Sequence, residues 1–508
     1  MMEFIDTTHS ELVRYKEKTL DEFQSKLVNI VLHSDKNAIG EAVAGSGKTF
    51  TEEAALSLLS EEIKRKTFVC AFTNRDEATL QGRLPNFPGE ILNTHKTGLR
   101  LISRKFGRVQ IDPKKDWEYS VKEIENSGRE EGAEEVKRAV VLGKALLSES
   151  AEDIENICFQ FGIGDNEFPQ EEIASLAWQA IKKSTEEVKR VSLDDMIYFP
   201  WAHNIALHDK ELVVGDEIQD WSPAQIWLVA SRVAKGGRFI GVGDRKQGVY
   251  SWRGADKNAI PNIQKQFNAV VQPLSISYRC PKAVESLLKG FYEDWQFLVP
   301  EWAKEGRINN GMPLEEAIEN HKLGDLWMSR TNAPLASICF AFLKRGIPAN
   351  IVGKDITKGL KALIKKSKAG TTKELMKFLA EYEAQEIDRL NSLGRDVSKS
   401  IEAVQDKVEL LIALGESTHN VSEIISNMDE IFYEPDEKPQ EQKGRGRPKK
   451  IKKPHVILST VHKQKGGEAE RVFMVSKTCR PDRGEEEKNI YYVATTRTKN
   501  ELSFVDVD

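Results

Sequence analysis

Short apolar segments and longer charged segments alternate along the chain, and the two kinds predict different elements. The short segments are mostly apolar or β-branched and lie between turn residues, a pattern typical of strands that are buried in a parallel sheet. The clearest are residues 211–215, 326–330, 349–352, 456–459 and 472–475. Residues 334–345 have helical spacing. This alternation of strand and helix predicts an α/β fold.

Two blocks rich in Glu and Lys, about residues 102–189 and 357–432, have the spacing of amphipathic helices. About 170 residues separate a glycine-rich segment ending at Thr49 from the strand at 211–215, far more than one βαβ unit needs. We therefore expect two α/β cores, each with a mainly helical insertion. The predicted segments are 1–101 and 190–272 for the first core, 102–189 for its insertion, 273–356 and 455–508 for the second core, 357–432 for its insertion, and 433–454 for a linker.

Composition limits the class of protein without identifying an activity. With 508 residues, the chain is long enough for several cores. Its five cysteines form no C-x-x-C pair, which argues against a zinc or iron–sulfur site and is typical of a reducing compartment. No apolar run reaches membrane-spanning length, and residues 1–14 are too polar for a signal peptide. We expect an intracellular protein without a membrane partner. Because the net charge is −5, any contact with nucleic acid must come from local basic surfaces.

The segment EAVAGSGKT at residues 41–49 has the pattern of a phosphate loop. A glycine-rich turn before a helix binds the phosphates of a nucleoside triphosphate through backbone N–H groups and the positive end of the helix. Ala42 stands where the first glycine of this pattern is usual. The predicted phosphate-binding residues are Ala44, Gly45, Ser46, Gly47 and Lys48. Thr49 is the predicted ligand of Mg²⁺.

Two carboxylates, Asp216 and Glu217, follow the apolar segment at 211–215. The carboxyl ends of strands are where open α/β sheets bind their ligands. Asp216 is the predicted partner of Mg²⁺, directly or through water, and Glu217 is predicted to orient or deprotonate the attacking water. The alternative is a solvated acidic turn, which the upstream phosphate loop argues against.

Eight further segments, in family order, resemble motifs of superfamily 1 DNA helicases of the UvrD/Rep/PcrA type. They are residues 20–24 (Q motif), 71–74 (motif Ia), 94–95 (motif Ib), 243–255 (motif III), 277–279 (motif IV), 329–332 (the strand after motif IV), 460–468 (motif V) and 485–497 (motif VI). The resemblance implies two RecA-like P-loop NTPase cores with a mainly helical insertion in each. It also implies that ATP and Mg²⁺ bind in the cleft between the cores.

The same resemblance implies roles for individual residues around the nucleotide. Arg279 and Arg497 match arginine fingers, which stabilise the charge on the transferred phosphoryl group. Gln247 matches the sensor of the γ-phosphate. The implied contacts with the nucleoside are Gln24 at the adenine edge, Tyr278 stacked on the base and Glu468 at the ribose.

Single-stranded DNA is the implied partner, together with junctions between duplex and single strands. Proteins that bind single strands combine aromatic platforms with positive charge. The predicted DNA-binding residues are Phe72, Asn74, Thr94, His95, Tyr250, Trp252, Arg253 and His462. Trp252 is the main candidate for stacking on a base, and the alternative is a core tryptophan. His95 and His462 either contact DNA or are hydrogen-bonded structural histidines.

The implied activity is that of an ATP-dependent translocase that moves 3′ to 5′ on single-stranded DNA and unwinds duplex DNA. The implied setting is replication, repair or recombination in the cytoplasm of a bacterium or a phage-infected cell. One alternative is a translocase that displaces proteins or serves a nuclease partner, with little unwinding. Another is a nucleotide-gated DNA-binding regulator, against which Glu217, Gln247, Arg279 and Arg497 together argue.

Four residues depart from the family pattern. Arg245 and Lys246 stand where acidic residues are common, Gly467 where leucine is usual, and Gly215 where an apolar residue is usual. The catalytic groups are all present in spite of these changes. The sequence therefore does not predict the rate of ATP hydrolysis or how strongly DNA binding is coupled to it.

A basic segment, KGRGRPKKIKKP at residues 443–454, precedes motif V and holds seven cations, two glycines and two prolines. This composition predicts an extended tether rather than a packed helix. Arg445, Arg447 and Pro448 belong to an Arg-Gly-Arg-Pro sequence that resembles the core of an AT-hook, which binds the narrow minor groove of A·T-rich duplex. The alternative is a plain linker.

Overall fold

The structure is a computed structural model that divides into two compact units. It describes residues 11–164, 168–248, 256, 258–293, 296–353, 356–392, 397–416, 418–433, 456–464 and 467–507. The first unit comprises Met1–Tyr278 and Gln296–Leu298, and the second comprises Arg279–Trp295 and Val299–Asp508. Within the described ranges, no helix combines the length and apolar character needed to cross a membrane.

The first unit is built on a parallel sheet, which has six strands in the described part of the chain. The strands of this unit are β1 (Arg14–Tyr15), β2 (Lys18–Thr19), β3 (Ala38–Ala42), β4 (Thr67–Ala71), β5 (Glu90–Asn93), β6 (Gln110–Ile111), β7 (Arg190–Val191), β8 (Lys210–Gly215), β9 (Val233–Gly243) and β10 (Val270–Leu274). The sheet order is β10, β3, β9, β8, β4, β5. Because all six strands are parallel, their carboxyl ends meet at one edge, where ligands bind in such sheets.

Both faces of this sheet are buried, which explains why its strands are almost continuously apolar. In β4, Val69 and Ala71 pack in the hydrophobic cluster on one face, and Phe68 and Cys70 pack in the cluster on the other. Alternate residues of a strand point to opposite faces. The sequence therefore shows no alternation of apolar and polar residues in this strand, because the residues on both faces are apolar.

The helices of the first unit either flank the sheet or form a separate helical region. They are α1 (Glu22–His33), α2 (Lys48–Leu58), α3 (Glu61–Arg65), α4 (Asn74–Arg83), α5 (Thr94–Phe106), α6 (Lys115–Ser127), α7 (Ala133–Ala145), α8 (Ala151–Phe161), α9 (Gln170–Glu186), α10 (Leu193–Ala202), α11 (Pro223–Ala230) and α12 (Ala259–Phe267). Helices α5 to α10 share a hydrophobic core of their own, which includes Val136, Ile154 and Ile173. Capping boxes begin α8 at Ser150 and α10 at Ser192, which satisfies backbone N–H groups at both helix starts.

The second unit contains another parallel sheet, with seven strands in the described residues. Its strands are β11 (Arg307–Pro313), β12 (Leu326–Ser329), β13 (Ala349–Val352), β14 (Phe432–Tyr433), β15 (Val456–Thr460), β16 (Ala469–Val475) and β17 (Thr498–Asp506). Their order is β11, β17, β16, β12, β15, β13, β14. In its core, the rings of Trp327 on β12 and Phe473 on β16 stack with centroids 4.5 Å apart.

Helices also accompany the second sheet. They are α13 (Lys282–Leu288), α14 (Leu314–Glu319), α15 (Ala333–Lys344), α16 (Ile356–Ser367), α17 (Thr372–Ser392), α18 (Ser398–Gly415), α19 (Val421–Ile431) and α20 (Glu485–Thr495). Helices α15 to α19 share one hydrophobic cluster with the strands. Two parallel sheets with accompanying helices confirm the predicted α/β fold class with two cores.

Candidate active site

The phosphate loop connects the carboxyl end of β3 to α2. Gly45 and Gly47 have φ angles of +79° and +76°, which glycine adopts without steric cost. A Cβ atom at Gly47 would lie 3.0 Å from Nε2 of Gln24. Gly47 precedes α2, and no side chain caps this helix, so its first N–H groups have no intrahelical partner. The loop and the helix end therefore form an anion-binding cradle.

Lys48, the first residue of α2, points at the carboxylates that follow β8. Its Nζ lies 2.8 Å from Oε1 of Glu217. Burial opposes the charge of Lys48, but the carboxylates of Glu217, Asp244 and Asp216 raise its pKa above the usual value. Burial, and next the charge of Glu217, raise the pKa of Asp216 to about 7. Several carboxylates thus surround one ammonium group, which is an environment suited to a further cation.

A chain of hydrogen bonds joins the ends of β8 and β9. Glu217 has a φ of +50°, a conformation that costs energy for residues other than glycine and that occurs often at functional sites. The side-chain amide of Gln219 donates to Glu217, and its Oε1 accepts from the N–H of Asp244 at 3.0 Å. Oδ2 of Asp244 accepts from Nε2 of Gln247 at 2.6 Å. The predicted base and the predicted γ-phosphate sensor therefore share one network.

Residues of the predicted adenine site lie beside the phosphate loop. Nε2 of Gln24 donates to the carbonyl of Ser46 at 3.0 Å, and Gln24 also forms a capping box with Asp21 at the start of α1. The hydroxyl of Tyr278 donates to Oδ2 of Asp21 at 2.6 Å. The N–H of Tyr278 donates to the carbonyl of Gly45 at 2.9 Å. The Tyr278 side chain is 41% exposed, so it remains accessible to a ligand.

The residues around the loop fit a nucleoside triphosphate with Mg²⁺. Oγ of Ser46 and both carboxylate oxygens of Glu52 are buried and have no hydrogen-bond partner among the described residues, and such groups call for a ligand, ion or water. Thr49 is the second residue of α2. Nowhere in the described ranges do three His, Cys, Asp or Glu side chains converge to hold a metal by themselves. Mg²⁺ takes many of its ligands from phosphate and water.

Three predicted nucleotide-site residues lie near one another in the second unit. Nε of Arg279 lies 2.8 Å from Oε2 of Glu468, and Nη1 of Arg279 donates to the carbonyl of Thr496 at 3.4 Å. Burial opposes the charge of Glu468, but Lys499 and Arg279 lower its pKa. Arg497 is only 1% exposed, and its guanidinium donates to main-chain carbonyls in α20 and before β16.

The predicted DNA-binding residues of motifs Ia and Ib follow two neighbouring strands. Phe72 and Asn74 come after β4, and Thr94 and His95 come after β5. Asn74 is exposed, and Phe72 and His95 are half-buried. Thr94 is fully buried and accepts a hydrogen bond from Gln225 at 3.1 Å. Burial lowers the pKa of His95, so its imidazole is neutral at pH 7.

The remaining DNA candidates belong to motifs III and V. His462 lies half-buried in a 3₁₀ turn after β15. Tyr250, Trp252 and Arg253 lie outside the described residues, as does the basic segment with Arg445. Their predicted roles therefore stay predictions.

Local packing accounts for two departures from the family pattern, Gly215 and Arg245. A Cβ atom at Gly215 would overlap the indole ring of Trp221, so the buried tryptophan fills the space next to this strand end. Arg245 donates from two guanidinium nitrogens to the two carboxylate oxygens of Glu41 at the end of β3. A Cβ atom at Gly467 would meet the side chain of Gln464. The first two replacements thus have a compensating residue nearby.

Several residues of the site were not predicted. Asp21, Gln219 and Asp244 bind predicted residues, and each lies within three positions of one of them in the sequence. Glu52 lies one helical turn after Lys48, a spacing that places both on the same face of α2. From that spacing, Glu52 could have been predicted to lie near the nucleotide site. Nothing in the sequence identified the pairing of Glu41 with Arg245, since 204 positions separate them.

Comparison with known families agrees with this geometry. A family model described as the UvrD/REP helicase N-terminal domain matches residues 22–268, and one described as the UvrD-like helicase C-terminal domain matches residues 455–505. The search of curated proteins found no significant match. The first match covers most of the first α/β core, including the phosphate loop, and the second covers the last three strands of the second core with motifs V and VI. The chain therefore belongs to the UvrD/Rep family of superfamily 1 helicases.

Proposed function

We propose that the protein is an ATP-dependent translocase on single-stranded DNA that unwinds duplex DNA with 3′ to 5′ polarity. The observation that carries the proposal is the pairing of Lys48 with Glu217, beside Asp216, at the phosphate loop. Family membership supports ATP hydrolysis and DNA binding in general. The polarity and a role in replication, repair or recombination in the cytoplasm are extensions of that family resemblance.

In the proposed reaction, residues of the first unit bind the phosphates and activate water. The N–H groups of the loop and the ammonium of Lys48 bind phosphate oxygens. When phosphate replaces Glu217 as the partner of Lys48, the carboxylate of Glu217 becomes available to accept a proton from water. Thr49 and Asp216 would hold Mg²⁺, which when bound neutralises charge on the phosphate oxygens. Gln247, held by Asp244, is positioned to respond to the γ-phosphate.

The second unit is proposed to complete the reaction through its arginines. Guanidinium groups stabilise the charge that spreads over the transferred phosphoryl group. Arg279 pairs with Glu468 in the structure, and the proposed ribose contact of Glu468 would loosen that pair when ATP binds. Arg497 is held by carbonyl groups, which fixes its position rather than leaving it mobile.

The proposed DNA track combines aromatic and polar residues. Phe72, Asn74 and His95 lie at the same sheet edge as the nucleotide residues of the first unit. Trp252 and Arg253 of motif III follow the Asp244–Gln247 network in sequence. This proximity supports a coupling between nucleotide state and DNA contact. Tyr250, Thr94 and His462 are proposed as further contacts on the resemblance alone.

The proposal is tested by unwinding of matched duplexes with a 3′ tail, a 5′ tail or blunt ends, with ATP and Mg²⁺. We expect unwinding of the 3′-tailed duplex and little of the other two. Preference for the 5′ tail would contradict the polarity. An RNA-tailed duplex in the same assay would show whether RNA is accepted.

A protein-displacement assay separates this proposal from its main alternative. Streptavidin bound to one end of a single strand is displaced by any translocase that moves toward that end. Strand separation together with displacement supports the helicase. Displacement without strand separation would favour a translocase that clears proteins or serves a nuclease.

A further inference from the structure

Glu52 is a buried carboxyl group at the nucleotide site for which no role has been assigned above. It lies on α2, three positions after Thr49 and four after Lys48, so its side chain is a neighbour of each on the helix surface. Its side chain is buried, with the residue 3% exposed. Both carboxylate oxygens lack a hydrogen-bond partner among the described residues. The carboxylates that interact with it most strongly are those of Asp216 and Glu217.

The neighbouring residue Glu53 shows what a structurally satisfied glutamate looks like on this helix. Glu53 is equally buried, but it accepts hydrogen bonds from the Tyr15 hydroxyl at 3.0 Å and from Lys16, and it pairs with Arg83 at 3.4 Å. Glu52 has no such contact. Burial, and next the charges of Asp216 and Glu217, raise the pKa of Glu52 well above its usual value. Fold stability therefore gains nothing from Glu52 that an apolar side chain would not supply.

We propose that Glu52 is a positioning residue for the Mg²⁺ of the bound nucleotide, and that its carboxylate oxygens accept hydrogen bonds from water molecules bound to the metal. This inference rests on the proposed function of the site. Mg²⁺ keeps several of its waters when it binds to nucleotides, and Thr49 and Asp216 supply few ligands. Those waters need acceptors, and residues that orient metal ligands in this way strongly affect metal affinity. Glu52 offers two acceptor atoms without a hydrogen-bond partner among the described residues, and its charge interacts with that of Asp216.

The test is the Mg²⁺ dependence of nucleotide binding by the full-length protein. A fluorescent ADP derivative is titrated in EDTA and then at increasing Mg²⁺ concentrations, without DNA and without turnover. For Glu52→Leu we expect unchanged affinity in EDTA and a Mg²⁺ concentration for half-saturation that is about 10-fold to 100-fold higher than for wild type. Glu52→Gln keeps one acceptor oxygen and the same shape, so a smaller shift is expected.

Thermal unfolding of the nucleotide-free protein separates this role from a structural one. Glu52→Leu should melt at the same temperature as wild type or above it, because an unpartnered buried carboxyl is removed. The matched control Glu53→Gln should melt at a lower temperature and keep the wild-type Mg²⁺ dependence. If Glu52→Gln and Glu52→Leu both keep the wild-type Mg²⁺ requirement, the role of Glu52 is overturned and the proposed function is not. Absence of Mg²⁺-dependent nucleotide binding by wild type overturns the proposed function as well.

Discussion

Glu217 occupies a left-handed backbone conformation at the end of β8. Its carboxylate binds Lys48 on one side and Gln219 on the other. A strained residue held by two partners has a fixed orientation before the substrate arrives. For a general base this orientation matters, since proton transfer requires hydrogen-bond distance to the attacking water.

Glu217→Gln is expected to bind ATP with near wild-type affinity and to hydrolyse it about 10²-fold to 10⁴-fold more slowly, because the amide cannot accept the proton. The measurements are nucleotide affinity and kcat on the same preparation. Glu211→Gln, an exposed change on the same strand, serves as the control and should keep both values. Rapid turnover by Glu217→Gln would remove this residue from the role of base.

Trp252→Ala tests the proposed base-stacking residue of motif III. We expect single-stranded DNA to bind about 1–3 kcal/mol more weakly, the usual contribution of a stacking aromatic. DNA-stimulated ATPase should fall more than basal ATPase. Trp302→Ala removes an exposed tryptophan from the second unit and should change neither. If Trp252→Ala kept its DNA affinity and lost melting temperature, Trp252 would instead be a core residue.

A buried charge network joins three helices of the helical region in the first unit. Lys115 on α6 lies 2.8 Å from Asp195 on α10, and Lys144 on α7 lies 2.6 Å from the other oxygen of Asp195. Lys144 also pairs with Asp116. Burial lowers the pKa of Lys115 in spite of Asp195, whereas the two carboxylates raise the pKa of Lys144 against the effect of burial. Lys144, which has two carboxylate partners, is therefore the more firmly charged group.

Asp195→Asn should lower the free energy of unfolding by about 3–5 kcal/mol, because it leaves buried ammonium groups without full compensation. Urea denaturation followed by circular dichroism measures this loss. Glu134→Gln, an exposed change at the start of α7, should stay within about 0.5 kcal/mol of wild type. A loss below about 1 kcal/mol for Asp195→Asn would show that the network contributes little to stability.

The same network predicts a pH dependence. Burial opposes ionisation of Asp195, but Lys144 and Lys115 lower its pKa in the folded protein. Its contribution is therefore complete above the unfolded value of about 4 and is lost as pH falls through the lowered pKa. Wild type should lose this part of its stability below about pH 4, and Asp195→Asn should not.

The basic segment before motif V, residues 443–454, lies outside the described residues, and its role is tested by substitution. Replacing Arg445, Arg447, Lys449 and Lys450 with Ala should weaken duplex binding and flatten its salt dependence, since fewer counterions are released. ATPase saturated with single strands should stay almost unchanged. Salt titrations of binding to A·T-rich and G·C-rich duplexes provide the measurement. An equal salt slope in the variant would assign the segment to a plain linker.

At the scale of the whole molecule, the sequence was sufficient for the fold class and the order of the motifs. Buried parallel strands are short apolar runs, and they stand out between charged helices, as β12, β13 and β15 do. The strand β17 was not predicted. Its first half consists of polar residues, three of them half-buried. This half shows neither the alternation of apolar and polar residues nor the apolar run that predicts a strand. The predicted segment boundaries stay predictions.

Side-chain pairings across long stretches of sequence could not be predicted at all. Glu41 with Arg245 and Lys115 with Asp195 pair only because the fold brings their elements together. The roles predicted for individual site residues came from motif order rather than from geometry. The structure adds which groups surround each one: Glu217 at Lys48, Asp21 at Tyr278, and Glu468 at Arg279.

The central claim is that the phosphate loop of the first unit hydrolyses ATP in response to single-stranded DNA. The most direct measurement is the rate of ATP hydrolysis with and without a single strand for wild type, Lys48→Ala and the exposed control Lys26→Ala. We expect strong stimulation for wild type and for Lys26→Ala, and no hydrolysis by a folded Lys48→Ala protein. DNA-stimulated hydrolysis by Lys48→Ala at a rate near that of wild type would contradict the account.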